Sequence, residues 1–243
     1  MASPPLFLLD DVPLVDVILL AGDEGRHAAQ AMRLRAGERV LVSDGQGALL
    51  SCTVREPRPD GLVLRVDERR TVPPPHPALW VVQALPKGER GELAVELMTE
   101  LGVDRIVPWQ AARSVAQWRG PRAERSVQKW RRTAREAAKQ SRRAYLPTIT
   151  ALASTAEVCE LLTGRAVMAL HEGASEPLAS CRLPDADELV LVVGPEGGIA
   201  EDELAAFQAA GALPVRLGDP VLRTSTAGAA ALTVLSVRLG RWG

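Results

Sequence analysis

The sequence predicts an α/β protein with a mostly parallel sheet, preceded by a smaller β-rich domain. Short alternating runs separated by Asp-Gly turns fill residues 1–72, a pattern typical of antiparallel strands. Residues 71–77 then contain four prolines, which neither a helix interior nor a central strand tolerates. Beyond this stiff linker, apolar runs of strand length alternate with helical stretches, and this alternation favours a parallel sheet covered by helices on both faces.

The N-terminal domain, residues 1–72, is predicted to be an antiparallel meander that forms a small barrel. We expect its strands at residues 38–43, 48–55 and 62–66, with turns at 44–47 and 56–61. A short helix between residues 25 and 35 carries several basic side chains, which by themselves are typical of a solvated helix face. The proline-rich linker at 73–77 is the best domain boundary in the sequence.

The C-terminal domain, residues 78–243, shows strand and helix patterns in alternation. We expect strands at residues 79–85, 104–109, 167–170, 189–193 and 213–217. Helices are expected at residues 89–101, from about 122 to 143, from about 201, and at 224–235. The last helix is rich in small residues, which fits either tight packing against the loop at 194–198 or a subunit interface.

Composition limits the classes of protein that the chain can belong to. With 243 residues and 47% hydrophobic side chains, the chain can bury a sizeable core and is expected to be globular and soluble. Its net charge of −1 gives no global sign of a polyanionic partner. Three scattered cysteines without a metal-ligand spacing predict reduced thiols in a cytoplasmic protein and no metal site. No signal peptide or membrane span fits the first residues.

One segment is strongly basic. Residues 119–143 contain ten arginines and lysines against two glutamates, a local balance of +8 in a chain whose total is −1. On a helix starting near residue 122, the basic positions 125, 129, 132, 139 and 143 form a stripe on one face, interrupted by Glu136. A charge run is usually a solvated face, but a stripe of one sign repels itself unless a polyanion neutralises it. The segment therefore predicts binding to a phosphate backbone.

Two glycine-rich loops dominate the C-terminal part of the chain. Loop 194–198 (Gly-Pro-Glu-Gly-Gly) follows the predicted strand 189–193 and precedes an acidic helix start. Loop 218–220 follows the predicted strand 213–217 and precedes the helix at 224. We expect both loops at the C-terminal ends of neighbouring strands, where an open α/β sheet binds its ligand. A plain strand-to-helix turn would account for one such loop. Two such loops favour a ligand site over a purely structural role.

The chemistry of these loops disfavours phosphate. Loop 194–198 matches neither the dinucleotide pattern GxGxxG nor the P-loop pattern GxxxxGK[ST]. The next helix starts with three acidic residues, 201–203, which would repel a phosphate at its N-terminus. A neutral or cationic ligand fits better, because glycines let the backbone approach a flat ring and Glu196 can orient the loop or a cationic group.

Classical nucleophiles are missing from the sequence. There is no GxSxG serine and no cysteine with a supporting histidine, and His27 and His76 lie in unrelated contexts. His171 differs, because His171 and Glu172 follow the strand that ends at Leu170. We therefore expect these two residues at the sheet edge, beside the ligand crevice.

The paired loops resemble the motifs of a known family. Residues 193–199 (VGPEGGI) and 217–227 (LGDPVLRTSTA) are similar to the C-terminal motifs of the bacterial ribosomal small-subunit RNA methyltransferase E family, in the SPOUT superfamily. Further motifs resemble the family in the right order at 87–90, 99–103, 113–115 and 136–143 with Pro147. The likeness covers about residues 26–235.

A few positions depart from the family pattern. Leu97 and Met98 stand where many relatives have Lys-Ala, Arg142 stands where glycine is common, and Ser225 replaces a common glutamate. These departures bear on the details of RNA contact and leave the expected fold unchanged.

The resemblance implies both a fold and an activity. It implies an N-terminal PUA-like β-barrel for RNA, residues 1–72, and a C-terminal SPOUT domain, residues 78–243, with a deep trefoil knot. It also implies a homodimer that uses S-adenosylmethionine to methylate N3 of uridine 1498 in 16S ribosomal RNA. The substrate would be the 30S subunit or a late precursor in the cytoplasm, and no metal is implied.

The resemblance also implies individual site residues. The residues expected to bind S-adenosylmethionine are Leu170, His171, Glu172, Gly194, Pro195, Glu196, Gly197, Gly198, Leu217, Gly218, Leu222, Arg223, Thr224, Thr226 and Ala227. The residues expected to bind RNA are Arg26, Arg33, Arg35, Lys87, Arg113, Arg132, Arg135, Lys139 and Arg142.

Two arginines are candidates for catalysis. Uridine N3 must lose its proton, and a fixed guanidinium can stabilise the negative charge that spreads over the ring. Arg143 is the first candidate, because it matches the family's motif arginine and ends the basic stripe, and Arg223 is the second. The base that takes the proton is not identified, and bulk water can serve.

Two alternatives stay open on the sequence alone. One is a SPOUT methyltransferase that acts on another RNA position or on a ribose 2′-hydroxyl. The other is a non-catalytic RNA-binding assembly module, which would need the basic stripe and the barrel but neither loop.

Overall fold

The computed structural model describes residues 3–242. The chain divides into two compact units. The N-terminal unit contains the residues up to Pro74 together with Ala138–Leu146, and the C-terminal unit contains Pro75–Ala137 and the residues from Pro147 onward. The division after Pro74 falls inside the proline-rich stretch, whereas the sequence carries no signal that residues 138–146 group with the N-terminal unit.

The N-terminal unit is built on a five-stranded sheet. Its strands are β1 (Leu6–Leu8), β2 (Val17–Leu20), β3 (Arg39–Ser43), β4 (Ala48–Arg58) and β5 (Gly61–Thr71). Between β2 and β3 lie α1 (Gly22–Arg26) and a π-helical turn (His27–Ala31), where one short helix was expected. The strand order is β1-β3-β4-β5-β2. Alternate side chains such as Val40 and Val42 form the core, as the two-residue period of the sequence predicts.

Two details of this sheet differ from the expectation. β1 pairs parallel with β3, so the sheet is not a pure antiparallel meander. The turn between β4 and β5 consists of Pro59 and Asp60 alone, because β4 continues through Pro57. A proline is tolerated there since β3 pairs only with residues up to Thr53, which leaves the end of β4 paired on one side.

The segment Ala138–Leu146 joins the N-terminal unit from a distant part of the chain. The Gly47 backbone N–H donates to the Ala144 carbonyl at 3.0 Å, and the Tyr145 hydroxyl donates to the Val72 carbonyl at 3.0 Å. Gly47 has a φ of 111°, and a Cβ at this position would lie 2.4 Å from the Tyr145 hydroxyl oxygen. Only glycine fits at this turn. The absence of a side chain lets Tyr145, from a distant part of the sequence, pack directly against the turn.

The C-terminal unit is an α/β unit with a six-stranded sheet. Its strands are β6 (Ala78–Ala84), β7 (Arg105–Trp109), β8 (Thr148–Ile149), β9 (Ala166–Leu170), β10 (Glu188–Val193) and β11 (Leu213–Val215). Its helices are α2 (Arg90–Glu100), α3 (Pro121–Gln140), α4 (Thr155–Leu162), α5 (Glu201–Ala209) and α6 (Thr224–Arg238). All strand pairs of this sheet are parallel, which confirms the predicted sheet type. The two-residue strand β8 and helix α4 were not predicted.

The central strands are buried on both faces. In β10, Leu189, Leu191 and Val193 belong to one apolar cluster, and Val190 and Val192 belong to another. Helices α2, α3 and α6 contribute to the first cluster, and α4 and α5 contribute to the second. This three-layer arrangement explains why the strand is a continuous apolar run instead of an alternating one.

The strand order corrects one expectation about the site. The order is β11-β9-β10-β6-β7-β8, so β9 lies between β10 and β11, and the two glycine-rich loops do not follow neighbouring strands. The physical reason is that parallel strands are joined by crossovers, so adjacency in the chain does not fix adjacency in the sheet. Leu170 at the end of β9 therefore lies between the two loops. The trefoil knot stays a prediction.

The small residues of α6 pack inside the C-terminal unit. A Cβ on Gly228 would lie 2.8 Å from the Met98 Sδ of α2 and 3.5 Å from the Gln83 Oε1 of β6. The small face therefore permits close approach to α2 and β6 of the same chain. The sequence suggested loop 194–198 or a second subunit as the partner of this face. Neither is needed to explain its small residues.

The described residues contain neither a membrane-spanning helix nor a cluster of metal ligands. Among residues 3–242, no helix combines the length and the hydrophobicity that crossing a membrane requires. Within the same residues, no group of three or more His, Cys, Asp and Glu side chains is arranged to hold a metal ion.

A largely buried ion pair joins the end of the chain to the start of the parallel sheet. Arg241 Nη1 lies 2.9 Å from Asp104 Oδ2 and 3.1 Å from the Pro77 carbonyl, and its Nη2 donates to the Gly102 carbonyl at 2.9 Å. The same Asp104 oxygen accepts the Leu79 N–H at 2.8 Å. The two side chains are only 11% and 16% exposed, so removing Arg241 takes the cationic partner away from a nearly buried carboxylate.

We predict that Arg241→Ala lowers the free energy of unfolding by about 3 kcal/mol, the usual cost of breaking a buried pair. All five tryptophans (80, 109, 118, 130 and 242) lie in the C-terminal unit, so tryptophan fluorescence during urea denaturation reports on that unit. The control is Lys129→Ala, which breaks a pair with Glu92 at an exposed lysine and should cost clearly less. Equal losses in the two variants would contradict the prediction.

Candidate functional site

A cavity of about 310 Å³ lies at the C-terminal ends of β9, β10 and β11. Three segments form its walls, namely residues 170–172 after β9, residues 193–199 after β10, and residues 216–218 with 220–222 after β11. Arg113, Thr224 and Ala227 complete the lining. All of these residues belong to the C-terminal unit. The parallel sheet thus brings together three stretches that are far apart in sequence.

Most residues predicted to bind a cofactor line this cavity. They are Leu170, His171, Glu172, Gly194, Pro195, Glu196, Gly197, Gly198, Leu217, Gly218, Leu222, Thr224 and Ala227. Arg223 and Thr226 lie outside the lining, and the Thr226 hydroxyl instead donates to the Arg223 carbonyl at 3.1 Å, at the start of α6.

Sequence reasoning missed several lining residues. These are Val193, Ile199, Arg216, Pro220 and Val221, and Arg113 was predicted only as an RNA contact. The motifs 193–199 and 217–227 already contain four of these five residues, and Arg216 directly precedes the second motif, so the motifs themselves were the available signal. Arg113 had no such signal, because it comes from the loop after β7.

The first loop is shaped by the properties of glycine. The Gly198 N–H donates to the Pro195 carbonyl at 2.9 Å, and Gly198 has a φ of 74°, which a residue with a side chain rarely adopts. A Cβ on Gly194 would lie 2.8 Å from Ile199 Cγ1 and 3.1 Å from the Ile199 nitrogen. The loop therefore folds back on itself in a way that excludes side chains at both positions.

Glu196 connects this loop to the segment after β6. Its Oε1 accepts the Lys87 backbone N–H at 3.0 Å and lies 3.9 Å from an Arg90 guanidinium nitrogen. This is the loop-orienting arrangement that the sequence suggested for Glu196. Lys87 therefore holds the loop through its backbone, while its side chain is exposed.

Arg113 lies against the same loop. Its Nη1 donates to the Gly197 carbonyl at 3.2 Å, and a Cβ on Gly197 would lie 3.2 Å from Arg113 Cβ. The side chain is exposed and lines the cavity. Arg113 thus brings a positive charge to a wall that is formed by glycines, apolar side chains and Glu196.

The acidic start of α5 is not uniform. Glu201 and Asp202 are exposed, whereas Glu203 is only 4% exposed, and all three acids lie outside the cavity lining. Glu203 accepts hydrogen bonds from the Ala112 and Ala200 backbones. Two of the three acids therefore face solvent, and the third binds backbone N–H groups inside the protein.

The wall after β11 is exposed and largely apolar. Val221 is 74% exposed and Leu222 is 41% exposed. Arg216 forms an ion pair with Asp219 at 2.8 Å, which spans the turn before them. This wall presents apolar surface to any ligand that enters the cavity.

His171 joins the walls formed after β9 and β11. Its backbone N–H donates to the Val215 carbonyl at 2.9 Å. Its Nδ1 accepts the Gly173 N–H at 3.1 Å, which leaves Nε2 as the ring nitrogen that carries the proton in the neutral form. His171 therefore offers a donor at the cavity and lacks the geometry of a catalytic base paired with a nucleophile.

The basic helix α3 carries two kinds of cation. Arg122, Arg125 and Arg132 are exposed, and their side chains make no hydrogen bond or ion pair with any residue that the structure describes. Lys139 instead forms a 2.9 Å ion pair with Glu24 and is only 11% exposed. Helical spacing alone cannot distinguish these two groups, because it does not report what packs against each face.

The basic stripe ends earlier than predicted, since α3 stops at Gln140. Arg142 has a φ of 55°, its N–H donates to the Lys139 carbonyl, and the Arg143 N–H donates to the Ala138 carbonyl. This is a Schellman helix end, which favours glycine at the position of Arg142. It also places Arg143 beyond the helix, in Ala138–Leu146.

The remaining predicted RNA contacts are Arg26, Arg33, Arg35 and Arg135. The first three are exposed residues of the N-terminal unit, and Arg135 is partly buried on α3. Arg26 forms an ion pair with Asp23.

Comparison with known proteins identifies the family. A family model described as RNA methyltransferase domain matches residues 73–236, and one described as RNA methyltransferase PUA domain matches residues 20–67. The ribosomal RNA small subunit methyltransferase E of Mycobacterium bovis is 48% identical over 98% of this chain and 93% of its own length. The chain belongs to the ribosomal RNA small subunit methyltransferase E family. This membership confirms the assignment to a PUA domain followed by an RNA methyltransferase domain.

More distant members of the family give the same result. The enzyme of Bacillus subtilis is 28% identical over 89% of this chain and 88% of its own length. A crystal structure of the Neisseria gonorrhoeae methyltransferase E, bound to S-adenosyl methionine, covers 97% of this chain and 98% of its own, with a TM-score of 0.85 and 23% identity. At that identity the structural match establishes the shared fold.

We predict that Gly194→Ala destabilises the C-terminal unit by about 1–3 kcal/mol, the usual cost of overpacking, because the new methyl would meet Ile199. The matched control is Gly218→Ala, where the nearest atom, Pro220 Cδ, is 3.8 Å away and the expected change is within about 0.5 kcal/mol. Tryptophan-monitored urea denaturation measures both. A Gly194→Ala protein as stable as the control would show that the loop is not tightly constrained.

Proposed function

We propose that this protein methylates N3 of uridine 1498 in 16S ribosomal RNA and uses S-adenosylmethionine as the methyl donor. The observation that carries the proposal is the cavity at the carboxyl edge of the parallel sheet, lined by the two loops that carry the family motifs. Family membership supports an RNA methyltransferase, and the position and the atom of the base are inferred from the family resemblance.

The cavity fits S-adenosylmethionine in size and chemistry. A volume of about 310 Å³ lies at the lower end of the range typical of small-molecule sites. A side chain would clash at Gly194 and be crowded at Gly197, and Leu170, Leu217 and Leu222 add apolar surface suited to a flat heterocycle. The lining carboxylates Glu172 and Glu196 disfavour phosphate but suit a ligand with a positive sulfonium.

Each wall has its own part in holding the cofactor. S-Adenosylmethionine supplies an electrophilic methyl group on a positively charged sulfur. We assign the binding of its adenosyl part to the apolar and glycine-rich walls, and we assign orientation of its charged part to His171, Glu172 and Glu196. Arg223 and Thr226 support the α6 start from outside the lining.

Arg143 is the proposed catalytic arginine. A fixed guanidinium stabilises the negative charge that the uracil carbonyl oxygens take up when N3 loses its proton. Arg223, exposed at the N-terminus of α6, is the second candidate. The proton can pass to bulk water, so no side chain of this chain is assigned as the base.

The RNA contacts are proposed on each unit separately. On α3, the exposed Arg122, Arg125 and Arg132 are suited to phosphates because no described side chain neutralises them. On the N-terminal unit, Arg33 and Arg35 are exposed in the PUA-like domain. We further propose that the protein acts as a homodimer on the 30S subunit or a late precursor in the cytoplasm.

We predict that calorimetry detects S-adenosylmethionine binding to the wild type and to Arg143→Ala with nearly equal affinity. Methyl transfer by Arg143→Ala to 30S subunits lacking the modification should fall at least about 100-fold, because a donor aimed at developing charge is lost. Arg58→Ala, an exposed arginine paired with Glu56, is the control and should keep full activity. An active Arg143→Ala enzyme would exclude this role for Arg143.

We predict that replacing Arg122, Arg125 and Arg132 together by alanine flattens the salt dependence of RNA binding. The slope of log K against log salt should shrink by about 2 to 3, since each lost phosphate contact removes a little under one unit. Arg182→Ala, an exposed arginine outside α3, should leave the slope unchanged. A slope that stays the same in the triple variant would make α3 only a solvated face.

Product analysis separates the proposed activity from its alternatives. Mass spectrometry of nucleosides from treated 30S subunits should show 3-methyluridine at position 1498. A 2′-O-methylated nucleoside or a methyl at another position would replace the proposal by a different RNA methyltransferase. The absence of both S-adenosylmethionine binding and product would instead favour a non-catalytic RNA-binding module.

A further inference from the structure

Glu203 is a buried carboxylate at the first turn of α5. Its Oε1 accepts the Ala112 backbone N–H at 2.8 Å and the Thr155 hydroxyl at 2.9 Å, and its Oε2 accepts the Ala200 backbone N–H at 3.2 Å. Its burial, with 4% of the surface exposed, would be costly without these three bonds. The carboxylate therefore connects the loop after β7, the start of α4 and the start of α5.

The direction of these hydrogen bonds is fixed. The indole nitrogen of Trp109 can only donate, and it donates to the Thr155 hydroxyl oxygen at 3.1 Å. The Thr155 proton is then directed to Glu203, and the two backbone N–H groups are also donors only. A carboxylate, which accepts at both oxygens, suits all three donors, whereas an amide would place a donor against one of them.

Two of the bonded backbones are next to the cavity. Ala112 precedes Arg113, and Ala200 follows Ile199, the last residue of the glycine-rich wall. The Arg113 guanidinium in turn donates to the Gly197 carbonyl of that wall at 3.2 Å. Glu203 therefore fixes the relative position of the two backbones that Arg113 bridges, although Glu203 itself lies outside the lining.

We propose that Glu203 is a positioning residue of the methyl-transfer site and that it acts through Arg113. The network holds the Arg113 guanidinium on the glycine-rich wall, where it meets the negative charge of the RNA substrate at the cavity. Arg113 is the cation that the loop after β7 contributes to this wall. The inference rests on the proposed function for the identity of the substrate, but the network itself does not depend on it.

A double-mutant cycle tests the proposal. Glu203→Gln keeps the size of the side chain and replaces one acceptor by a donor, and Arg113→Ala removes the guanidinium. We expect each change to lower kcat/KM for 30S subunits by about tenfold or more, and we expect the double variant to be no worse than the more severe single variant, as for residues in one network. Independent effects that multiply in the double variant would overturn the proposal.

Two further measurements do not require methyl transfer. Amide hydrogen exchange at Ala112 and Arg113 should speed up at least tenfold in Glu203→Gln, and affinity for a 16S RNA fragment without cofactor should fall equally in Glu203→Gln and Arg113→Ala. Unchanged exchange, or an affinity that falls only in Arg113→Ala, would overturn the proposal. If the wild type transfers no methyl group, the proposed function fails, and these two measurements still decide the role of Glu203.

A second pair of variants covers the case that Glu203→Gln does not fold. Thr155→Val removes the hydroxyl that links Trp109 to Glu203 and keeps the shape of the side chain. Thr155→Ser keeps the hydroxyl and is the matched control. Faster exchange at Ala112 in Thr155→Val, reversed in Thr155→Ser, supports the network, and equal exchange in both variants contradicts it.

Discussion

The structure of the site depends on the parallel pairing of β10 with β6 on one side and β9 on the other. Parallel strands held in one register end at the same edge, so the segments that follow β9, β10 and β11 must meet there. Both faces of β10 pack in apolar clusters, so a shift in register would disrupt close packing on both sides. The cavity is therefore a consequence of strand pairing, and the glycines adapt the loops to the small space that this pairing leaves. Glu196 and Glu203 then connect the first loop to the segments after β6 and β7.

Much of this arrangement was predictable from the sequence. The apolar run at 189–193 predicted strand β10, and the alternation of strands and helices predicted a parallel sheet. The family motifs predicted most of the cavity lining. Strand order was not predictable, because it is decided by crossovers and by packing between residues far apart in the chain. The same holds for the grouping of Ala138–Leu146 with the N-terminal unit and for Arg113, whose place at the cavity follows from the strand order β10-β6-β7.

Charge was the property that the sequence described least completely. The sequence does not distinguish the ten cations of residues 119–143. In the structure, however, Lys139 is nearly buried in an ion pair, whereas Arg132 is exposed without a described partner. The acids of residues 201–203 divide in the same way, with Glu203 inside the protein and its two neighbours in solvent. In both segments the partner of each charge lies on another element, so only the folded chain shows which charges are available to a ligand.

The exposed apolar wall at Val221 and Leu222 has a thermodynamic consequence. These side chains contact water in the free protein, and a ligand ring that settles against them removes both surfaces from solvent. Burial of apolar surface gives a negative change in heat capacity. The enthalpy of ligand binding should therefore become more favourable as temperature rises, even if the affinity changes little. The temperature dependence of the binding heat is thus a direct measure of how far this wall closes over its ligand.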